Sequence, residues 1–217
     1  MASATKRQRP RAHAGASEQG KATAQRVIDA ARDLLMTKGH AQFSVRNVAA
    51  QAELHLANVQ YYFPTRDDLV RAIVKDIDAR YRAAYTQALA NAPPDRVARF
   101  RAILKFALRD IERAPTRRFF IQLWGLLNSL DGRSSELLSE AYAIDIQHLS
   151  ECVAELEPEV HPVEIRRRAT LLAAMIEGLL VVHSAHSRNK TEMKALISHA
   201  EKACMQIARG NPDGALL

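Results

Sequence analysis

The chain has 217 residues, 47% of them hydrophobic, a formal net charge of +7 and two cysteines. It contains no run of 18 apolar residues able to span a bilayer, no apolar core behind its basic N-terminus, and too few cysteines for a disulfide framework. Membrane-spanning and disulfide-stapled classes are thereby disfavoured, and a protein of the reducing cytoplasm is expected.

The charge is unevenly spread. Up to Arg66 there are 10 Lys and Arg against 4 Asp and Glu, whereas from Asp67 onward 21 face 20. A basic N-terminal part fits phosphate binding. Four of those ten charges precede residue 12, so a solvated tail accounts for part of the excess equally well.

Residues 1–19 are rich in Ala, Ser, Gln and basic side chains without periodicity, and Lys6 to Arg11 (KRQRPR) reads as disordered when free. Such a stretch serves either as an arm reaching DNA or as a solvated tail. Lys21 to Lys38 reads as a helix with Val27, Ile28, Ala31, Leu34 and Leu35 on one stripe, ended by Gly39.

Phe43 to Leu69 (FSVRNVAAQAELHLANVQYYFPTRDDL) then reads as two short helices, a tight turn, and the start of a long helix. Ser44 is a suitable N-cap, and Phe43 with Val48 a hydrophobic staple. Ala52-Glu53-Leu54 forms the turn, the second helix runs from about His55 to Phe63, and Pro64 stops it. Thr65 with Asp68 makes a capping box for the next helix. This spacing fits a helix-turn-helix, whose second helix enters a major groove, and fits an ordinary helical hairpin too. In the first reading Leu56, Ala57, Gln60 and Tyr61 or Tyr62 are on the free face. Gln60 suits bidentate reading of adenine, Tyr62 a phosphate, and Tyr61 is expected as a core ring.

Thr65 to about Asn91 is a long helix striped with Leu69, Ile73, Ile77, Tyr81, Ala84 and Ala88. Helices follow from Asp95 to Arg113, from Pro115 to about Leu130, from Ser134 or Ser135 to Leu156, from Pro162 to His186, and from Thr191 to Arg209, with a turn at Asp131-Gly132. The segment Ala169 to Val182 is apolar nearly all round, which implies burial on every side, either inside a monomeric bundle or against a second chain. Leu172 and Ile176 are the positions expected to matter there. The spacing of His183, His186 and His148 matches no ligand pattern, and no nucleophile elbow, phosphate loop or paired-carboxylate motif occurs. No catalytic residue, metal or cofactor is therefore assigned.

The stretch around the turn resembles the DNA-binding segment of the tetracycline-repressor (TetR) family of bacterial transcription regulators. Ser44, Val45, Arg46, Val48, Ala49, Ala52, Leu54, Val59, Tyr62, Phe63, Thr65, Arg66 and Leu69 sit at matching positions. Glu53 stands where that family has Gly, His55 replaces a Ser or Thr cap, and Gln60 replaces Tyr. The resemblance implies an all-α fold of about nine helices: a basic arm at 1–19, a helix-turn-helix domain at 20–66, and an effector-binding and dimerisation domain at 67–217. It implies a homodimer on duplex operator DNA and a small-molecule effector, with no membrane role. The DNA-contacting set expected is Ser44, Val45, Arg46, His55, Leu56, Ala57, Asn58, Gln60, Tyr61, Tyr62, Thr65 and Arg66. The effector set expected is Phe106, Arg109, Phe120, Trp124, Asn128, Tyr142, Asp145 and Glu177, a mix of aromatic and polar groups.

Overall fold

Nine α-helices and no strand make up the residues described by the computed structural model, which are 18–129, 134–186 and 190–210. They are α1 (Glu18–Lys38), α2 (Val45–Gln51), α3 (Leu56–Tyr62), α4 (Arg66–Ala90), α5 (Arg96–Ile111), α6 (Ala114–Asn128), α7 (Ser134–Leu156), α8 (Pro162–His186) and α9 (Lys190–Arg209). A 3₁₀ turn at His40–Gln42, absent from the sequence reading, joins α1 to α2. The basic stretch Lys6–Arg11 and the turn at Asp131-Gly132 lie outside the described residues.

Local chemistry sets the boundaries. The Ser44 hydroxyl accepts from the Asn47 amide at 3.1 Å, and the Asp95 carboxylate from the Ala98 amide at 2.9 Å. Thr65 and Asp68 complete both halves of a capping box, each amide 3.1 Å from the other's side chain. Caps of this kind are worth about 1 kcal/mol each. Pro115 in the first turn opens α6, and Arg117 donates back to the carbonyls of Ile111 and Glu112, closing α5.

The buried side chains form two cores. One gathers Val27 and Leu35 of α1, Val48 of α2, Val59 of α3 and Leu69 and Ile73 of α4. The same core takes Phe119, Leu123, Leu126 and Leu127 from α6. The other packs α5, α7, α8 and α9 around residues such as Leu104, Val153, Leu172 and Cys204. Phe120 touches both. Cys152 and Cys204 are buried free thiols whose pKa burial pushes up, so they act as small apolar side chains.

Within a single protomer α8 is not buried on every side. Leu171, Val181 and Val182 are 56%, 51% and 50% exposed, with Ala174 and Gly178 on the same open face. Leu172 is buried in its own protomer's core, and Ile176 lines an internal cavity. A helix apolar on all sides carries no periodic signal of which face meets which neighbour.

Candidate DNA-binding head and cavity

The turn between α2 and α3 is closed by the Glu53 amide on the Ala50 carbonyl (3.1 Å) and the Leu54 amide on the Ala49 carbonyl (2.9 Å). Glu53 has φ 54°, the only positive value at a non-glycine among the described residues. A left-handed backbone costs an L-residue roughly 1–2 kcal/mol, so the turn geometry persists here against the residue that occupies it. Val48, Ala49 and Val59 pack the two helices onto α1 and α4.

α3 presents Ala57, Asn58, Gln60 and Tyr61 to solvent. Tyr61, expected as a core ring, is 64% exposed. It lies two residues from buried Val59 and so on the far side of the helix, while Tyr62, three residues on, turns inward and packs half-buried against the core. Leu56 likewise leans on the core rather than standing free. His55 precedes α3 without a capping side-chain bond and is exposed. Arg46 is exposed on the first turn of α2, and Val45 beside it is half-buried. The hydroxyls of Ser44 and Thr65 are engaged in caps. Arg66 is half-buried, its guanidinium 6.0 Å from the Phe43 ring centre and 3.5 Å from the Ser129 hydroxyl at the end of α6. Of the basic residues that tilt the N-terminal charge, Arg32 is also turned inward, onto Asp76 (3.3 Å) and the Phe119 ring.

The head meets α6 at a close joint. Gln122 Oε1 accepts the His40 amide at 2.9 Å and lies 2.8 Å from His40 Nδ1. Opposite the imidazole stands Gly125, where an added Cβ would fall 2.7 Å from that nitrogen. Only a residue without Cβ lets the ring lie on the helix here.

On its other side α6 walls a cavity of about 140 Å³, enclosed with α4, α5, α7 and α8. Five of the eight residues expected in an effector site line it: Phe120, Trp124, Tyr142, Asp145 and Glu177. Three do not. Phe106 sits behind the wall, edge-on to Tyr81 and Tyr85. Arg109 is exposed on the outer side of α5, and exposed Asn128 bonds the Trp124 carbonyl at 2.9 Å. The sequence reading missed Asp78, Tyr85 and His148 as lining residues and placed Tyr81 only in an apolar stripe. The i, i+4 pair Tyr81 and Tyr85 was the available signal.

Several of the cavity's side chains have definite partners. Trp124 and Tyr142 stack at 5.2 Å, with 14° between their planes. The Tyr142 hydroxyl donates to Glu177 at 2.6 Å, and the Tyr81 hydroxyl to Asp110 at 2.6 Å. Asp78 is paired with Arg82 at 3.0 Å. Desolvation, with the charge of Asp145 added, pushes the Glu177 carboxyl up to about 7 against the opposing bond from Tyr142. Asp145, at the rim and open to solvent along one side, is also raised, by desolvation and then by Asp78. His148 is lowered by desolvation and by Arg82.

Among the described residues, all helical, this turn and the docked long helix define a helix-turn-helix head. Residues 27–73 match the profile of bacterial regulatory proteins of the tetR family. An HTH-type transcriptional regulator encoded in the dhlA 5' region of Xanthobacter autotrophicus is 34% identical over 111 residues, 48% of this chain and 53% of its own length. The match thus spans about half of that relative. The HTH-type transcriptional regulator BetI of Burkholderia ambifaria is 26% identical over 70% of this chain and 77% of its own. SCO4454, a TetR-family regulator from Streptomyces coelicolor, shares the fold with a TM-score of 0.65 at 16% identity, over 89% of this chain and 96% of its own. Together these matches support a TetR-family transcriptional regulator, with residues 27–73 as the segment that carries the family's profile.

Proposed function

We propose that this protein is a homodimeric repressor in the cytoplasm that binds a near-palindromic duplex operator and is released from it by a small molecule held in the cavity. Residues 20–66 read the DNA, 67–217 hold the effector and the dimer contact, and 1–19 form an arm along the duplex. The exposed face of α3 enters the major groove, with Gln60 on a base edge and Asn58 and Tyr61 beside it. Arg46 and His55 flank it within reach of the backbone. The open apolar face of α8, continued by exposed Leu196 on α9, is the surface that a second copy covers. No catalytic role is assigned.

The observation that carries this reading is the double duty of α6. Its side chains Phe119, Leu126 and Leu127 belong to the core of the head, while Phe120 and Trp124 wall the cavity. A ligand that displaces the cavity wall therefore acts on the head through α6 as well as through α4. The two reading heads of a dimer must match successive major grooves about 34–36 Å apart, so a modest tilt lowers affinity without melting either head. The ligand shifts that balance by its difference in affinity for the two states.

The test is a gel shift against the promoter DNA beside the protein's own gene, with a scrambled duplex as control. Preference for the promoter supports the reading. Equal binding to both indicates a non-specific DNA binder, and binding to neither removes the DNA-reading role.

A further inference from the structure

The cavity has a charge imbalance that its own walls do not correct. Asp145 and Glu177 both face it, and among the described residues neither has a Lys or Arg partner. The third carboxylate, Asp78, is already matched by Arg82. No Lys or Arg lines the space, and His148 is held towards its neutral form. The hydroxyls of Tyr142 and Tyr81, which could have served an anion or a carbonyl, are spent as donors to carboxylates. The remaining wall combines aliphatic side chains such as Ile77, Ile111 and Leu180 with a run of aromatic rings, Trp124 stacked on Tyr142, then Phe120, Tyr81 and Tyr85. Aromatic faces attract cations through their quadrupole, most strongly when water is excluded. The volume of about 140 Å³ is well below the roughly 300–1,000 Å³ usual for drug-sized ligands.

We propose that the effector is a small organic cation with a compact apolar body, an amine or quaternary ammonium, seated against the Trp124–Tyr142 pair with Asp145 and Glu177 as its counter-charges. This rests on the effector reading above and names the ligand class of that same cavity. The upward push on the Glu177 carboxyl agrees with a carboxylate that lacks its counter-ion in the empty protein. A cation supplies that counter-ion. An anion meets two carboxylates and no Lys or Arg, and a neutral molecule leaves the imbalance in place.

Trp124 is the only tryptophan in the chain and lies in the cavity wall, so its fluorescence reports occupancy directly. The full-length protein is titrated with four molecules of one compact branched shape: tetramethylammonium, protonated tert-butylamine, tert-butanol and pivalate. Both cations should bind, at least about tenfold more tightly than tert-butanol, as expected for a desolvated cation on an aromatic face, and pivalate should not bind. Tighter binding of tert-butylammonium identifies an N–H-donating amine as the natural class, and tighter binding of tetramethylammonium a quaternary ammonium. The near-isosteric Glu177→Gln, with Asp145→Asn as a second variant, should weaken both cations roughly tenfold while leaving tert-butanol unchanged, given the size of desolvated charge pairs. Equal or tighter binding of tert-butanol or pivalate overturns the proposal, as does binding of none of the four at millimolar concentration by folded protein. Cation binding that leaves operator affinity unchanged upholds the cation site and overturns instead the effector role, so the two failures are distinguishable.

Discussion

Replacing Leu171 by Arg should break the dimer and leave the protomer folded. Leu171, Val181 and Val182 are 56%, 51% and 50% exposed on one face of α8. Fully burying such a side chain is worth roughly 1.5–3 kcal/mol, so the exposed half contributes about 1 kcal/mol each, and three per protomer in a two-fold contact about 5–9 kcal/mol. Leu171→Arg removes about 2 kcal/mol of this across the two copies and places two guanidinium groups without partners in the contact. The latter cost is several kcal/mol. A combined loss of at least about 4 kcal/mol raises the dimer dissociation constant about a thousandfold. Sedimentation equilibrium measures that constant, while far-UV circular dichroism and thermal melting follow the fold. Leu172→Arg is the contrasting variant: Leu172 is 1% exposed within its own protomer, so that change should unfold the chain rather than split the dimer. A Leu171→Arg protein that dimerises as tightly as the parent, or a parent that sediments as a monomer at micromolar concentration, refutes the placement of the interface.

Three further outcomes are expected. Gln60→Ala should relax operator preference at one base pair by roughly 1–3 kcal/mol, whereas Arg46→Ala should weaken all duplexes alike, which competition binding with single-base operator variants separates; Arg66→Ala should also lower stability, because that side chain packs on Phe43. Gln122→Ala, which removes the acceptor for the His40 amide and ring, should blunt the response of DNA affinity to ligand while leaving ligand affinity at Trp124 nearly intact. The pH dependence follows from Glu177, which faces Tyr142, Asp145 and His148 of α7 and Asp78, Tyr81 and Tyr85 of α4 across the cavity, with only apolar side chains from α5 and α6. Its carboxyl is pushed up to about 7, and a cation favours the ionised form, so tetramethylammonium should bind about tenfold more tightly at pH 8 than at pH 6. The sign reverses for the empty protein: a carboxyl raised by folding takes up protons in the folded state, so stability falls as pH rises from the ordinary carboxylate range through about 7. A flat binding profile would remove Glu177 from the site.

Features fixed by a few neighbouring residues were legible in the sequence. Ser44 and the Thr65–Asp68 pair announced helix starts because a cap is a contact across three positions. Glu53 stood out because it occupies the glycine position of the family it resembles, and its backbone there is left-handed. Features decided by distant packing were not legible. α3 is only two turns long, too short for its apolar residues to define a face, so Tyr61 was placed inside and Leu56 outside. α6 is apolar on two faces, and nothing in its periodicity says that one serves the head and the other the cavity. The His40–Gln122 joint spans 82 positions between two polar residues of no distinctive pattern. Within the cavity the aromatic and acidic residues of α6, α7 and α8 were found by their chemistry, whereas Asp78 and His148 read as ordinary surface groups on their helices.

The central claim is that one molecule carries two coupled sites, one for operator DNA and one for the cavity ligand. It is tested most directly by titrating tetramethylammonium against the protein, following Trp124, once free and once saturated with operator. Linkage requires operator to weaken the ligand by the same factor by which the ligand weakens operator, and coupling energies of this kind are typically about 1–3 kcal/mol, or roughly 5–150-fold. The account predicts a matched loss of that order in both titrations. The same ligand affinity with and without operator would contradict it, even with the ligand seated in the cavity.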